Sequence, residues 1–248
     1  MIKMKKIYKI IILVSVAAGL YLVLSHTYIY HRIHTAGLQA TDTDHSYSFG
    51  ASSSAETLVY ASLGDSLTAG VGTDSYRESY PYLLAKDLAE DKNIVLENFS
   101  YPGARTEDLI NNLLPEAVAA KPDIVTVLIG ANDVQGFVSS SQFEKNYRHI
   151  LDELTRKTKA KIYLISVPSV NFALFLPPYN YFFDWRVSRF NAIIKKLAGE
   201  YNVNFIDLNT PALESIKAER PYYAADLFHS SPYGYALWAK IIYANINH

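Results

Sequence analysis

Three short stretches hold residues whose types and spacing could carry nucleophilic chemistry. "GDSLTAG" (64–70) sets Ser66 behind an aspartate, after an apolar run and before a glycine-broken turn. A serine in that place commonly caps a helix or forms a turn. It becomes a nucleophile only with a base in hydrogen-bond reach and a third group that orients the base. Of the seven histidines, His26, His31, His34 and His45 lie near the N-terminus, His248 is terminal, and His149 falls in a helical pattern among charged neighbours. His229, in "DLFHSSPYGY" (226–235), remains. Asp226 stands three residues before it, a spacing at which two side chains can meet on one side of a turn. Its carboxylate could hold Nδ1–H and leave Nε2 to take the Ser66 proton. The plainer reading is a surface Asp and His in a loop.

Attack on an ester or amide carbonyl also needs donors aimed at the developing oxyanion. "SYPGART" (100–106) offers the N–H of Gly103, and "IGANDV" (129–134) the side-chain amide of Asn132. The N–H of Ser66, at an expected helix start, would be a third donor. In isolation each reads as well as a turn glycine, a turn asparagine and a cap.

These residues must be positioned by the elements around them. Apolar, β-branched runs at 57–64, 93–100, 123–130, 161–167 and 203–208 predict strands. Helical patterns lie at 80–91, 106–114, 143–157, 184–200 and 234–245, with Pro81 in a first turn and Thr106 as an N-cap. Strands alternating with helices predict right-handed βαβ units and a parallel sheet covered on both faces. Ligands bind such sheets outside the carboxyl ends of the strands. Ser66 follows the first strand, Gly103 the second and Asn132 the third, so all three belong to one edge. No internal repeat and no second domain is visible.

Taken in order, "GDSLTAG", "SYPGART", "GAND" and "DLFHSSPYGY" resemble the SGNH (GDSL-type) hydrolase family over residues 57–248. The resemblance implies a three-layer α/β/α sandwich of flavodoxin type, with a central parallel sheet of about five strands. It implies Ser66 as nucleophile, His229 as base and Asp226 as the orienting acid. Gly103 and Asn132 complete the oxyanion hole with the Ser66 amide. Asp65 and Asp133 also match family positions and are read as structural, holding the turns of the site. The α/β-hydrolase alternative fits less well: it wants G-x-S-x-G, and Thr68 stands two residues after Ser66.

The segment 167–185, "VPSVNFALFLPPYNYFFDW", is long, apolar and broken by Pro177 and Pro178. Such a loop is unusual in a compact domain. It reads as an acyl-binding wall or lid, with Phe172, Phe175, Leu176 and Tyr179 as substrate contacts, or as a loop packed back on the core. Residues 1–30 carry Lys3, Lys5, Lys6 and Lys9 and then an apolar run about as long as a bilayer is thick. They read as an uncleaved signal anchor with its basic end cytoplasmic, a cleaved signal peptide being the competitor. Residues 31–56 are rich in Ser, Thr, Asp, Gly and Ala and read as a flexible linker.

Composition narrows the rest. A net charge of −1 over 248 residues offers no electrostatic footprint for nucleic acid. The absence of cysteine excludes disulfides and thiolate metal sites. No metal or organic cofactor is implied. The expectation is a membrane-tethered esterase or lipase-like acylhydrolase outside the cytoplasm, secreted if its N-terminus is cleaved. Its substrate would be a lipid ester or an acylated glycan. The alternatives are an acyltransferase or O-acetylesterase on a cell-envelope glycan, and an inactive envelope-binding module.

Overall fold

In the computed structural model the described residues are 2–35, 46–50, 55–90, 92–169, 177, 179–218 and 220–246. Six strands, β1 (Ser46–Phe49), β2 (Thr57–Gly64), β3 (Asn93–Ser100), β4 (Ile124–Leu128), β5 (Lys161–Ile165) and β6 (Asn204–Ile206), form one sheet in the order β1-β3-β2-β4-β5-β6. β2 to β6 run parallel. β4 sits at the centre with all five residues buried, as a continuous apolar run requires.

The register fixes the functional edge. Gly64 pairs with Ser100 of β3 and with Leu128 of β4. The chain therefore leaves these three strands at one level, and Asp65, Tyr101 and Ile129 begin adjacent loops. A Cβ at Gly64 would fall on the Thr68 side chain and the Leu128 carbonyl, so only glycine fits there.

Helices cover both faces. One face carries α3 (Thr106–Asp108), which passes through a π turn at 109–113 into α4 (Leu114–Ala119), together with α6 (Ser140–Lys157) and α7 (Tyr179–Glu200). These bury Leu109, Phe143, Tyr147, Phe190 and Leu197 against Ala61, Leu63, Val125 and Val127. The other carries α2 (Tyr80–Leu88), α8 (Asn209–Lys217) and α9 (Pro232–Ile246), packing Tyr80, Leu84, Trp238 and Ile242 against Tyr60, Leu96 and Ile165. Alternate residues of each strand serve opposite clusters, which is the two-residue period of a strand made visible. The short α5 (Ala131–Gln135) lies on the functional edge.

The linker expected at 31–56 is corrected in part. The N-terminal helix α1 (Ile2–Thr35) enters it, and β1 lies inside it, pairing antiparallel with β3. A four-residue strand is too short to announce itself by period. β1 is held by ring packing, Tyr47 stacked on Tyr76 at 5.3 Å and Phe49 edge-on to Tyr82 at 4.9 Å. The sheet thus has six strands rather than about five. Neither α5, whose five residues are too few to show a helical period, nor α8 is anticipated by the sequence pattern. In α1, Lys5–Tyr28 has mean hydropathy 2.3 and is long and apolar enough to cross a membrane, a test that a signal sequence also passes.

Candidate active site

β2 ends at Gly64, and Asp65 then turns the chain. Its carboxylate Oδ1 accepts Leu67 N–H at 3.0 Å, and its carbonyl accepts the N–H groups of Thr68 and Ala69. The expected helix start at Ser66 is replaced by a run of hydrogen-bonded turns. Gly70 (φ +78°) and Gly72 (φ +105°) take left-handed conformations that a helix cannot continue. A Cβ at Gly72 would strike the Ser230 carbonyl, so this glycine lets the nucleophile turn close on the loop carrying His229.

That loop precedes α9 and is tied down by its own backbone. Ala224 N–H donates to His229 O and Ser231 N–H to Tyr222 O, both at 2.9 Å. The Tyr235 hydroxyl of α9 donates to Val71 O at 2.7 Å, linking the helix to the Ser66 turn. Within the loop, Asp226 Oδ1 accepts the N–H groups of Phe228 (2.9 Å) and His229 (3.0 Å). Asp226 Oδ2 meets His229 Nδ1 in a short hydrogen bond. His229 Nε2 lies 3.0 Å from Ser66 Oγ. The ionised carboxylate accepts a hydrogen bond from Nδ1–H, so the proton stays on Nδ1 and Nε2 is left as the acceptor for the Ser66 hydroxyl.

Burial sharpens the electrostatics. Asp226 is fully buried, and Ser66 and His229 are 6% and 7% exposed. Burial pushes the Asp226 carboxyl up, but the bonds from the His229 ring and the two backbone N–H groups outweigh it, leaving it below the ordinary carboxylate range. It therefore stays ionised beside the imidazole. Asp65 goes the other way. Burial is the main cause, Leu67 N–H opposes it and the Asp133 charge adds to it, raising the carboxyl to about 7.

The other two loops arrive from β3 and β4. Tyr101–Ala104 is a turn closed by Ala104 N–H to Tyr101 O, with Pro102 and then Gly103 at φ +86°, the residue pattern of a type II turn. The N–H groups of Gly103 and Ser66 find no acceptor among the described residues. A Cβ at Gly103 would meet nothing within 4 Å, so the turn faces open space. Asn132 Nδ2 donates to Ala104 O at 2.9 Å and makes a long 3.5 Å contact with Asp65 Oδ2. The structure thus brings Asn132 against the loops of Ser66 and Gly103.

Asp133 is 1% exposed and holds Thr106, accepting its N–H at 2.9 Å and its hydroxyl at 2.5 Å. This corrects Thr106 as an N-cap. It is the first residue of α3, and Asp108 accepts the preceding Arg105 N–H instead. Asn146 donates to the Thr106 hydroxyl at 2.8 Å. Arg186 of α7 donates to the carbonyls of Asp133, Val134 and Val138. Sequence reasoning missed Arg186, Asn146 and Tyr235. The sequence carries no distinct signal for the first, since Arg186 shares its helix with Arg189, Lys195 and Lys196. Of the expected substrate contacts, Tyr179 opens α7, and Phe172, Phe175 and Leu176 lie outside the described residues.

Near the serine lies a small apolar cavity with about 20 Å³ of free space, bordered by Leu67, Ala131, Phe228 and Ser230 and by Tyr222 and Trp238, though not by Ser66 or His229 themselves. The first four are the chain neighbours of Ser66, Asn132 and His229. The arrangement can activate a hydroxyl, orient its base and leave two backbone donors open beside it, as acyl transfer requires.

Comparison with known proteins gives the family and the fold. Residues 62–237 match the model of the GDSL-like Lipase/Acylhydrolase family. The spore germination lipase LipC of Bacillus licheniformis is 26% identical over 207 residues, covering 72% of this chain and 92% of that protein. An uncharacterised Bacillus subtilis protein, YpmR, is 29% identical over 216 residues, covering 77% and 82%. The crystal structure of a lipase/acylhydrolase from Enterococcus faecalis superposes with TM-score 0.64 at 24% identity, over 76% of this chain and 95% of the other. An acetylxylan esterase of Geobacillus stearothermophilus, Axe2, does so with TM-score 0.64 at 21% identity, over 77% and 95%.

Proposed function

Since the chain belongs to the GDSL-like lipase/acylhydrolase family and is a serine hydrolase acting on esters, we propose that Ser66, His229 and Asp226 are its catalytic triad and that it works tethered to a membrane, outside the cytoplasm. The observation that carries the triad is the unbroken line of contacts from Asp226 through His229 to Ser66 Oγ.

Ser66 Oγ attacks the ester carbonyl carbon while His229 Nε2 takes its proton. The carbonyl oxygen becomes an oxyanion held by the N–H groups of Ser66 and Gly103. Asn132 joins them by turning an N–H away from its long contact with Asp65. His229 returns the proton to the departing alkoxide, and an acyl-enzyme remains on Ser66. Water, deprotonated by the same imidazole, attacks the acyl carbon, and the carboxylic acid leaves as Ser66 recovers its proton. Asp226 keeps the imidazole in the required tautomer throughout.

Two substrate readings remain in view. A lipid ester suits the membrane-spanning length of α1. A short acyl group, as on an acetylated envelope glycan, suits the cavity near Ser66, whose 20 Å³ is close to the room one water needs. The likeness to an acetylxylan esterase favours the same side. A glycan hydroxyl replacing water in the second step would make the enzyme an acyltransferase.

The test is hydrolysis of p-nitrophenyl esters from acetate to palmitate, with Ser66→Ala beside the wild type. The variant is expected to lose roughly 10³-fold or more in kcat. A rate that peaks at long chains selects the lipid reading, and turnover of acetate alone selects the short-acyl reading. Equal rates for Ser66→Ala and wild type would sink the assignment.

A further inference from the structure

Outside α1, the described residues expose only five large apolar side chains: Phe137, Tyr181, Phe182, Trp185 and Tyr233. Three of these, Phe137, Phe182 and Trp185, form one cluster. Phe137 and Phe182 have ring centroids 6.0 Å apart, and Phe182 and Trp185 6.2 Å. Tyr181 neighbours Phe182 on α7 and is 69% exposed. Scattered apolar residues on a surface need no explanation, but a contiguous aromatic patch does.

The patch is a built feature. Phe137 follows α5 with φ +56°, a left-handed conformation that costs a bulky residue energy. The buried Arg186 guanidinium underlies it, 5.7 Å from the Phe137 ring centroid and 5.9 Å from that of Phe182. The same guanidinium holds the carbonyls of Asp133, Val134 and Val138. The loop that displays Phe137 is therefore the loop that carries Asn132, and the patch adjoins the active-site edge.

Two observations say what covers it. The Tyr21 hydroxyl of α1 donates to the Pro177 carbonyl at 2.6 Å, just before α7. Tyr21 lies seven residues inside the end of the apolar span Lys5–Tyr28, about 10 Å along a helix axis. A segment touching Tyr21 stands at the depth to which interfacial aromatic faces sink, about 5–10 Å. Charge agrees as well. The exposed Arg105 packs its guanidinium against Gly136, beside Phe137, and Arg189 is exposed on the same helix as Trp185. The half-buried Asp184 is the acidic neighbour on that helix. Tyr and Trp with adjacent cations are the composition of a membrane-interface belt.

We propose that the Phe137–Tyr181–Phe182–Trp185 surface sits in the outer face of the bilayer that α1 spans, and seats the active-site edge on the lipid. This rests on α1 being a membrane anchor. The surface then does more than tether: it fixes the orientation of the site toward the membrane, where a flexible leash alone would leave it free to tumble.

The chain has two tryptophans, Trp185 at 57% exposure and Trp238 at 1%, so fluorescence reads the patch directly. The full-length protein is reconstituted into phosphatidylcholine–phosphatidylglycerol vesicles made with lipid brominated near the headgroup end of its chains. Flotation of the vesicles reports anchoring, and Trp185→Phe identifies the Trp185 signal by difference. The expected result is flotation of both forms, loss of the Trp185 emission to bromolipid, and little loss to aqueous iodide. Flotation with Trp185 quenched by iodide and untouched by bromolipid overturns the proposal, because the patch then faces water. Flotation with neither quencher effective, and with cross-linked pairs, overturns it in favour of a second copy of the chain. Failure to float defeats the anchor reading itself and this inference with it.

Discussion

The two ends of the sheet are made from the same strands and look unlike each other. At the amino ends lies a cavity of about 620 Å³, bordered by Glu56, Glu90, Lys92, Asp123, Lys159 and Lys161, all exposed. At the carboxyl ends the cavity near Ser66 offers about 20 Å³, yet Asp65, Asp133 and Asp226 are each 1% exposed or less. Removing carboxylates from water is costly unless hydrogen bonds replace the lost solvent. Each of these three accepts such bonds, from Leu67, Thr106, and Phe228 with His229 respectively. Volume therefore does not mark the site. Buried polar groups that hold one another in place do, and the wide groove at the other end sets exposed charged residues around apolar ones such as Leu58, Ile94 and Ile124.

Substitutions at the two ends should separate accordingly. The largest effect is expected from Asp226→Asn. An amide N–H facing His229 Nδ1 forces the proton onto Nε2, which can then no longer accept from Ser66. A comparable change in another serine hydrolase costs about 10⁴-fold in kcat with geometry intact. Stopped assays on a short ester, with circular dichroism to confirm folding, would show it. A variant within tenfold of wild type would break the contrast.

Asn132→Ala comes next. Loss of one oxyanion donor lowers kcat by about 10²–10³-fold, and KM should change little if the donor acts mainly in the transition state. A rise in KM at constant kcat would instead make Asn132 a ground-state contact.

A smaller effect concerns stability. Asp65 sits at about 7 in the fold against an ordinary 3.8. Between those values the native chain holds a proton that the unfolded chain has released. The contribution of Asp65 to stability is thus complete below about 4 and declines as pH rises through 7. Asp65→Asn lacks this decline while its side-chain oxygen can still accept Leu67 N–H. Its melting temperature relative to wild type should rise between pH 5 and 8, by about 2–4 °C for each kcal/mol recovered. A difference that does not change with pH would place the Asp65 proton elsewhere.

At the amino ends, Lys161→Ala and Glu90→Ala should leave ester turnover unchanged and stability within about 0.5 kcal/mol. A measurable loss of rate from either would show that the wide groove takes part in function after all.

Much of this contrast was legible in the amino-acid order. Short apolar, β-branched runs marked five of the six strands, and the residues following the first three named the edge where Ser66, Gly103 and Asn132 stand. β1 escaped because four residues carry no period, and α5 because five do not complete two turns. Thr106 read as a cap because Ser and Thr before helices usually are. Its hydroxyl instead goes to Asp133, 27 residues away, a partner that no local pattern announces.

What the sequence determined by itself follows from the covalent chain: side-chain period sets which faces are apolar, and chain order sets which loops leave the sheet at the same end. What only the tertiary structure decided is which side chains touch. Ser66 and His229 are 163 residues apart and meet at 3.0 Å because Gly72 lets two loops close and Tyr235 bonds one to the other. Arg186 reaches the carbonyls of the Asn132 loop from 48 to 53 residues away. Such contacts arise from close packing and from the cost of burying a polar group without a partner. Both are properties of the assembled core, to which each segment contributes only a part.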